Sequence, residues 1–269
     1  MEEVDNQYEH NQESYFFLRK NDEYVASNKM LLMIKATDEV KINIFSQNGC
    51  EYKAIKGYYL FFFDRRVRLC VLNSLCDCKS IRLESLAGLL VFMDAANGAN
   101  GTSEDSAWES HWGKVTTGLK SEHFENDNEL KKWLIYNYLK KEGTIQPLLS
   151  FIRKSEEYQL ISFLLRNTIG NNTIPIKTLC RMYGLSYSHF RRLCYRALGG
   201  PVKEELEKWK VMNTYLDCAE DKDSLTFHAI NNGFCSSSHY SNAIKKIIGC
   251  SPRHLKNIDF IKKMVGKNG

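Results

Sequence analysis

Residues 229–252 read AINNGFCSSSHYSNAIKKIIGCSP, and some fifty positions upstream residues 179–199 read LCRMYGLSYSHFRRLCYRALG. The two stretches share an outline. In each, a helical apolar pattern places a small side chain (Cys180, Ala229) four positions before a glycine (Gly184, Gly233). A serine-rich helix start follows, then a second helix with polar residues on one face. That is the layout of a helix-turn-helix, whose second helix enters the major groove of DNA. Two such units in one chain predict a bipartite reader of DNA.

In the first unit (about 175–196), Pro175 suits the first turn of the supporting helix, Leu179 faces inward and Gly184 supplies the turn. Ser186 is placed to cap the second helix by accepting a bond from an unpaired amide. Phe190, Leu193 and Ala197 recur at helical spacing and should pack inward. That leaves Ser188, His189, Arg191 and Arg192 as candidate base contacts, with Arg196, a turn further on, as a phosphate contact.

In the second unit (about 223–246), Leu225 and Ala229 face the core, Gly233 makes the turn, and Ser236 or Ser237 caps the second helix. Tyr240, Ile244 and Ile247 should pack inward. Ser237, Ser238, His239 and Asn242 then become base contacts, with Ser241 beside them, and Lys245 and Lys246 phosphate contacts. This face is short and uncharged, so it is expected to discriminate less than the first. Between the units, Pro201 to about Cys218 reads as one amphipathic helix with Leu206, Trp209, Met212 or Asn213, and Leu216 on a stripe. At about 1.5 Å per residue it would be a rod of about 27 Å, able to set two recognition helices near the ~34 Å repeat of the groove.

Charge divides the same way. From residue 151 onward there are 19 Lys+Arg against 10 Asp+Glu, a net of +9, whereas the first 150 residues hold 18 and 22. A basic half beside an acidic half is the footprint of a nucleic-acid module attached to something else. Residues 1–13 are expected to be disordered, and MEEVDNQYEHNQESY is too acidic to be a secretory signal peptide. From Ser14 to about Asn73 the pattern is strand-like. Val40, Ile42 and Ile44 alternate with polar residues, as do Val67, Leu69 and Val71. Asn48-Gly49 signals a hairpin turn, and Tyr58–Phe63 a buried strand. Helices are expected over Ser80–Met93, Glu129–Lys141, Thr144–Arg153 and about Glu156–Asn167, with an exposed loop at 95–106. The last of these helices should open the DNA-binding domain.

These residues resemble the AraC/XylS family of bacterial transcription regulators. The family's pattern of a small residue, Gly-Phe, spaced serines before an aromatic residue and a later Gly-x-x-Pro appears as Ala229, Gly233-Phe234, Ser236–Tyr240 and Gly249-Cys-Ser-Pro252. The similarity covers about 155–257. Within the family, EYQLISFLLRN, RALGGPVKEELEKWKVMN and the second unit look most like activators of type III secretion and virulence genes. The sequence departs from the pattern at four positions: Cys180 stands where Ala is usual, His228 where an aliphatic residue is, Ile244 where Phe is common and Asn242 where Arg is. The last removes a DNA contact from the second unit.

The resemblance implies promoter DNA and RNA polymerase as partners. It also implies a small type III secretion chaperone as co-activator, and leaves room for a homodimer. Sugar-sensing relatives make a small-molecule effector in the N-terminal domain the alternative. Nine cysteines at scattered positions fit reduced thiols in a bacterial cytoplasm, with the protein on the nucleoid and no membrane segment. No catalytic motif is present, neither G-x-S-x-G, P-loop nor G-x-G-x-x-G, so the chain is not expected to be an enzyme. No cofactor is expected. No metal is expected either, because Cys76 and Cys78 are spaced C-x-C rather than as a zinc knuckle.

The expected fold class is α+β: a β-rich N-terminal domain followed by an all-α C-terminal domain with two helix-turn-helix units joined by a linker helix. The expected boundaries are 14–153 for the regulatory domain, including its C-terminal helices, and 154–269 for the DNA-binding domain.

Overall fold

The computed structural model describes residues 15–98, 110–168, 174–220, 224–248 and 251–252. The expected disordered segment 1–13, most of the 95–106 loop and the Gly249-Cys250 part of the closing motif lie outside them. A β-rich N-terminal region is followed by a helical C-terminal region, as the patterning implied. The chain divides into two compact units, 1–159 and 160–269.

The first unit is one seven-stranded antiparallel sheet with helices on its outer face. Its strands are β1 (Tyr15–Leu18), β2 (Glu23–Ala26), β3 (Met30–Ser46), β4 (Gly49–Phe63), β5 (Val67–Val71), β6 (Cys76–Ile81) and β7 (Trp112–Val115). The order is β1-β6-β3-β4-β7, with β5 on the far half of β3 and β2 on β5. β3 serves two partners in turn, β6 along Leu31–Lys35 and β5 along Ile42–Phe45. A bulge between Ala36 and Val40 separates the two stretches and lets the strand bend. One face is covered by a buried cluster of Leu32, Ile34, Ile42, Ile44, Phe61, Phe63, Leu69 and Trp112 among others. On the opposite face Phe62 meets Phe151 at 5.3 Å. Position 113 must be glycine, because a Cβ there would lie 2.3 Å from Phe62 Cζ.

The stretches expected to be strands, Val40–Ile44, Tyr58–Phe63 and Val67–Val71, lie in β3, β4 and β5, with shifts at their ends. The hairpin loop is Gln47-Asn48 rather than Asn48-Gly49, since Gly49 (φ 117°) already pairs with Ser46. Tyr58–Phe63 is the second half of β4 rather than a separate strand. Its unbroken apolarity follows from burial on both faces, with Leu60 to Phe63 all at 0% exposure. The expected Ser80–Met93 helix begins later, as α1 (Leu83–Ala96), because Ser80 and Ile81 stay in β6. The short helix α2 (Ser121–Glu125) and strand β7 carried no sequence signal.

α3 (Asp127–Leu139), α4 (Gln146–Arg153) and α5 (Glu156–Thr168) follow close to expectation. One residue was missed. Asp94, 2% exposed, ends the buried stripe of α1. Arg153 Nε and Nη2 donate to its two carboxylate oxygens at 2.9 Å each. The hydroxyls of Tyr138 and Tyr158 donate to it at 2.8 and 2.6 Å. Burial alone would raise its pKa. The bonds from Arg153, Tyr158 and Tyr138 outweigh that and hold the carboxyl below its usual range. Tyr158 therefore binds the first turn of α5 to the N-terminal unit.

In the second unit, Phe163 of α5 packs edge-on against Tyr183 at 4.9 Å, and Tyr183 against Phe190 at 5.8 Å. The remaining helices are α6 (Ile176–Tyr183), α7 (Tyr187–Leu198), α8 (Val202–Glu220), α9 (Leu225–Asn231) and α10 (Ser237–Ile248). The linker helix α8 corrects the expected stripe. Leu206 and Trp209 are only half-buried, and Met212 and Leu216 are exposed at 41% and 50%. The buried line is Val211, Thr214 and Cys218 instead. Val211 and Tyr215 join the core of α9 and α10, with Ala229, Phe234, Tyr240 and Ile244, and that contact chooses the face. Among the described residues no helix is long and apolar enough to cross a membrane.

Candidate nucleic-acid interface

Both turns close by the same hydrogen bonds. Gly184 (φ 82°) and Gly233 (φ 76°) sit in the left-handed region that favours glycine. After them, the Leu185 N–H reaches back to the Cys180 carbonyl at 3.3 Å and the Phe234 N–H to the Ala229 carbonyl at 2.9 Å. Cys180 and Ala229, the small residues of the repeat, are both buried. The second turn carries one residue more, Cys235, before its cap.

The caps are serines. Ser186 Oγ accepts from the His189 N–H at 3.4 Å and Ser236 Oγ from the His239 N–H at 3.1 Å, so Ser236 rather than Ser237 caps α10. Pro175 lies one position outside the helix it was expected to open. Its carbonyl accepts from the Thr178 and Leu179 amides at 2.8 and 3.1 Å. Ser186→Ala should cost about 0.5–2 kcal/mol through the lost cap. Urea denaturation compared with wild type reads this, and an unchanged midpoint would mean that water replaces the cap.

With the start of each helix fixed, its faces follow. On α7, Phe190, Leu193, Cys194 and Ala197 are buried, and Ser188, His189, Arg191, Arg192 and Arg196 are exposed. At about 100° per residue, Ser188, Arg192 and Tyr195 lie along the centre of the exposed face. Arg191 falls on one flank, and His189 and Arg196 on the other. Arg191 is held over the Tyr187 ring at 5.7 Å.

On α10, Tyr240, Ala243 and Ile244 are buried, Ile247 is half-buried, and Ser238, His239, Asn242, Lys245 and Lys246 are exposed. Ser237 and Ser241 are half-buried. The His239 ring packs edge-on against Phe234 at 5.5 Å, so its body is engaged by the turn. The expected residues of α7 thus share its exposed face, which is richly cationic; those of α10 share a mostly neutral one, except Ser237, which is half-buried at its edge.

Two residues that fix the second unit were not foreseen. Lys210 Nζ donates to the Gly233 carbonyl and lies 4.2 Å from the Phe234 ring, with burial lowering its pKa. Asn232 Nδ2 donates to Asp217 Oδ2 at 2.6 Å. Both partners on α8 flank its buried Val211–Thr214–Cys218 line, the line that a reading centred on the largest apolar side chains passed over. Of the core departures, Cys180 and Ile244 are buried as expected. His228 is buried too, with no hydrogen-bond partner for Nε2 among the described residues. Burial, with Cys180 beside it, pushes the Cys194 thiol up to about 12. The hydrogen bond to Cys76 and burial push the Cys78 thiol up as well. Among the described residues no group of three or more His, Cys, Asp or Glu side chains could hold a metal ion.

No family model matches the chain. The transcriptional regulator MxiE of Shigella flexneri is 32% identical over 217 residues, covering 77% of this chain and 98% of the relative. The invasion protein InvF of Salmonella typhimurium is 34% identical over 180 residues, covering 67% and 81%. The solved structure of ToxT from Vibrio cholerae covers 90% of this chain and 96% of its own at 14% identity, with a TM-score of 0.40, an overlap too loose to decide anything. The sequence relatives decide the matter: the chain belongs to the AraC/XylS family of bacterial transcription regulators, among the activators of type III secretion genes that include MxiE and InvF.

Proposed function

We propose that the chain is a sequence-specific DNA-binding activator that reads promoter DNA through two helix-turn-helix units. The observation that carries this is the repeated closure: the same turn and the same serine cap present two exposed polar helix faces fifty positions apart. In this reading Ser188, His189, Arg191 and Arg192 on α7, and Ser237, Ser238, His239 and Asn242 on α10, contact bases. Arg196, Lys245 and Lys246 hold phosphates. α8, 19 residues or about 28 Å long, spaces the two readers.

Residues 14–153 form the regulatory domain and 154–269 the DNA-binding domain. The protein works in the cytoplasm on the nucleoid, with RNA polymerase, and catalyses no reaction. Its activating signal is a small secretion chaperone bound to the acidic N-terminal half, which also offers a surface for a second copy of the chain. The close-packed side chains on one face of the sheet support a protein signal over a small-molecule effector.

A fragment from Ser155 to Gly269 keeps α5 whole and carries both readers. It should bind the same sites as the full chain in a genome-wide occupancy map, and should not respond when the chaperone is co-expressed. Chaperone-dependent activation by the fragment would move the partner site into the DNA-binding half. Occupancy at no defined sites would sink the DNA reading.

A further inference from the structure

The chain reverses between α7 and α8 in three residues. Gly199 takes φ 75°, Gly200 is buried, and Pro201 accepts from the Glu204 and Glu205 amides at 3.0 and 3.2 Å. Val202 is 5% exposed, so its burial pins the first turn of α8. Between α7 and this turn lies an open cleft of about 620 Å³ lined by Tyr187, Arg191, Arg192, Tyr195 and Lys203, with no acidic side chain in its walls. Lys203 is exposed and makes no ion pair among the described residues. Tyr195, 59% exposed, stands at the centre of the α7 face, one turn beyond Arg192.

Resting on the DNA-binding reading above, we propose that this cleft is a backbone clamp. In it Lys203 Nζ and the Tyr195 hydroxyl hold a phosphate of the DNA strand that borders the groove occupied by α7. Three considerations carry the assignment. The N-terminal part of a recognition helix faces base edges, so groups at its last turn and on the following helix reach the sugar–phosphate chain. A lining that joins apolar and tyrosine side chains with three cations and no carboxylate complements a polyanion and repels acidic protein surface. The second unit also places a cation at the matching position: counting from the capping serines, Tyr195 corresponds to Lys245 and Arg192 to Asn242. The first unit supplies its charge from the next helix, through Lys203.

The clamp is tested on the full chain, with the duplexes it enriches from a random-sequence pool and with the unselected pool. Lys203→Ala should reduce the slope of log affinity against log salt by about 0.9, the release of one counterion, and weaken both pools by the same factor. Lys203→Arg should keep the slope, which separates a lost charge from a lost fold. Tyr195→Phe should weaken both pools equally without changing the enriched sequence. Tyr195→Lys, which copies the second unit, should steepen the slope by about 0.9. An unchanged slope in Lys203→Ala, or a new enriched sequence in either tyrosine variant, would overturn the clamp while leaving the DNA reading intact. A wild-type chain that enriches no sequence and binds neither pool would overturn both.

Discussion

Replacing Asp94 with alanine should destabilise the N-terminal unit by about 3–5 kcal/mol, because it removes the carboxylate paired with a buried arginine while leaving the arginine in place. Arg153 is 9% exposed and meets both oxygens of Asp94 in a planar two-bond arrangement. The same deletion leaves the hydroxyls of Tyr138 and Tyr158 without their acceptor. Urea denaturation of the variant, followed by tryptophan fluorescence for Trp112 and Trp133 of this unit, reads the loss. A change below about 1 kcal/mol would mean that water or a shifted side chain satisfies Arg153. The pH dependence has a definite sign. The carboxyl is held below its usual range in the folded chain, so its contribution is fully present above the unfolded value of about 3.9. It is lost as the pH falls through the folded value. Asp94→Asn should remove that acid-labile part and flatten the melting temperature over the window.

What could be read in the sequence was what short-range rules determine. The caps of α7 and α10, the glycine turns and the buried faces of both helices follow from bonds and periodicities confined to about twenty residues. The face that α8 buries does not. Leu206, Trp209 and Leu216 form the more apolar stripe, yet the smaller Val211, Thr214 and Cys218 are the buried ones, with Val211 in the core of Phe234 and Tyr240. Only the packing of the second unit makes that choice. β3 was similarly opaque: only Val40, Ile42 and Ile44 alternate, whereas the strand runs 17 residues with two successive partners and a bulge. Asp94 left a trace that went unused: a carboxylate following Leu83, Leu86, Leu90 and Val91 at helical spacing must be paired if that stripe is buried. The grouping of the candidate contact residues was legible for the same reason as the caps. Tyr195 and Lys203 were not, since their relation depends on how the chain turns at Gly199–Pro201.

Replacing Arg192 with alanine should abolish promoter activation and cost about 1–3 kcal/mol of discrimination against wrong bases, while thermal stability stays near wild type. The position explains the size of the effect. Arg192 is exposed at the centre of the α7 face, one turn after Ser188, and no buried group depends on it. Its fork of donors matches the paired acceptors that guanine presents in the major groove. Asn242 occupies the matching place on α10, where a shorter amide can pair with adenine, so Asn242→Ala should weaken binding less. The two variants also separate affinity from specificity. If Arg192 reads a base, the sequence enriched by Arg192→Ala should relax at one position of the half-site bound by the first unit. If it holds only a phosphate, affinity should fall evenly on all duplexes and the salt slope should drop by about one. Footprinting both variants on the enriched duplex decides between these outcomes. A wild-type footprint from Arg192→Ala would place the base-reading residues elsewhere on the α7 face, on the flank carrying His189 and Arg196 or the one carrying Arg191.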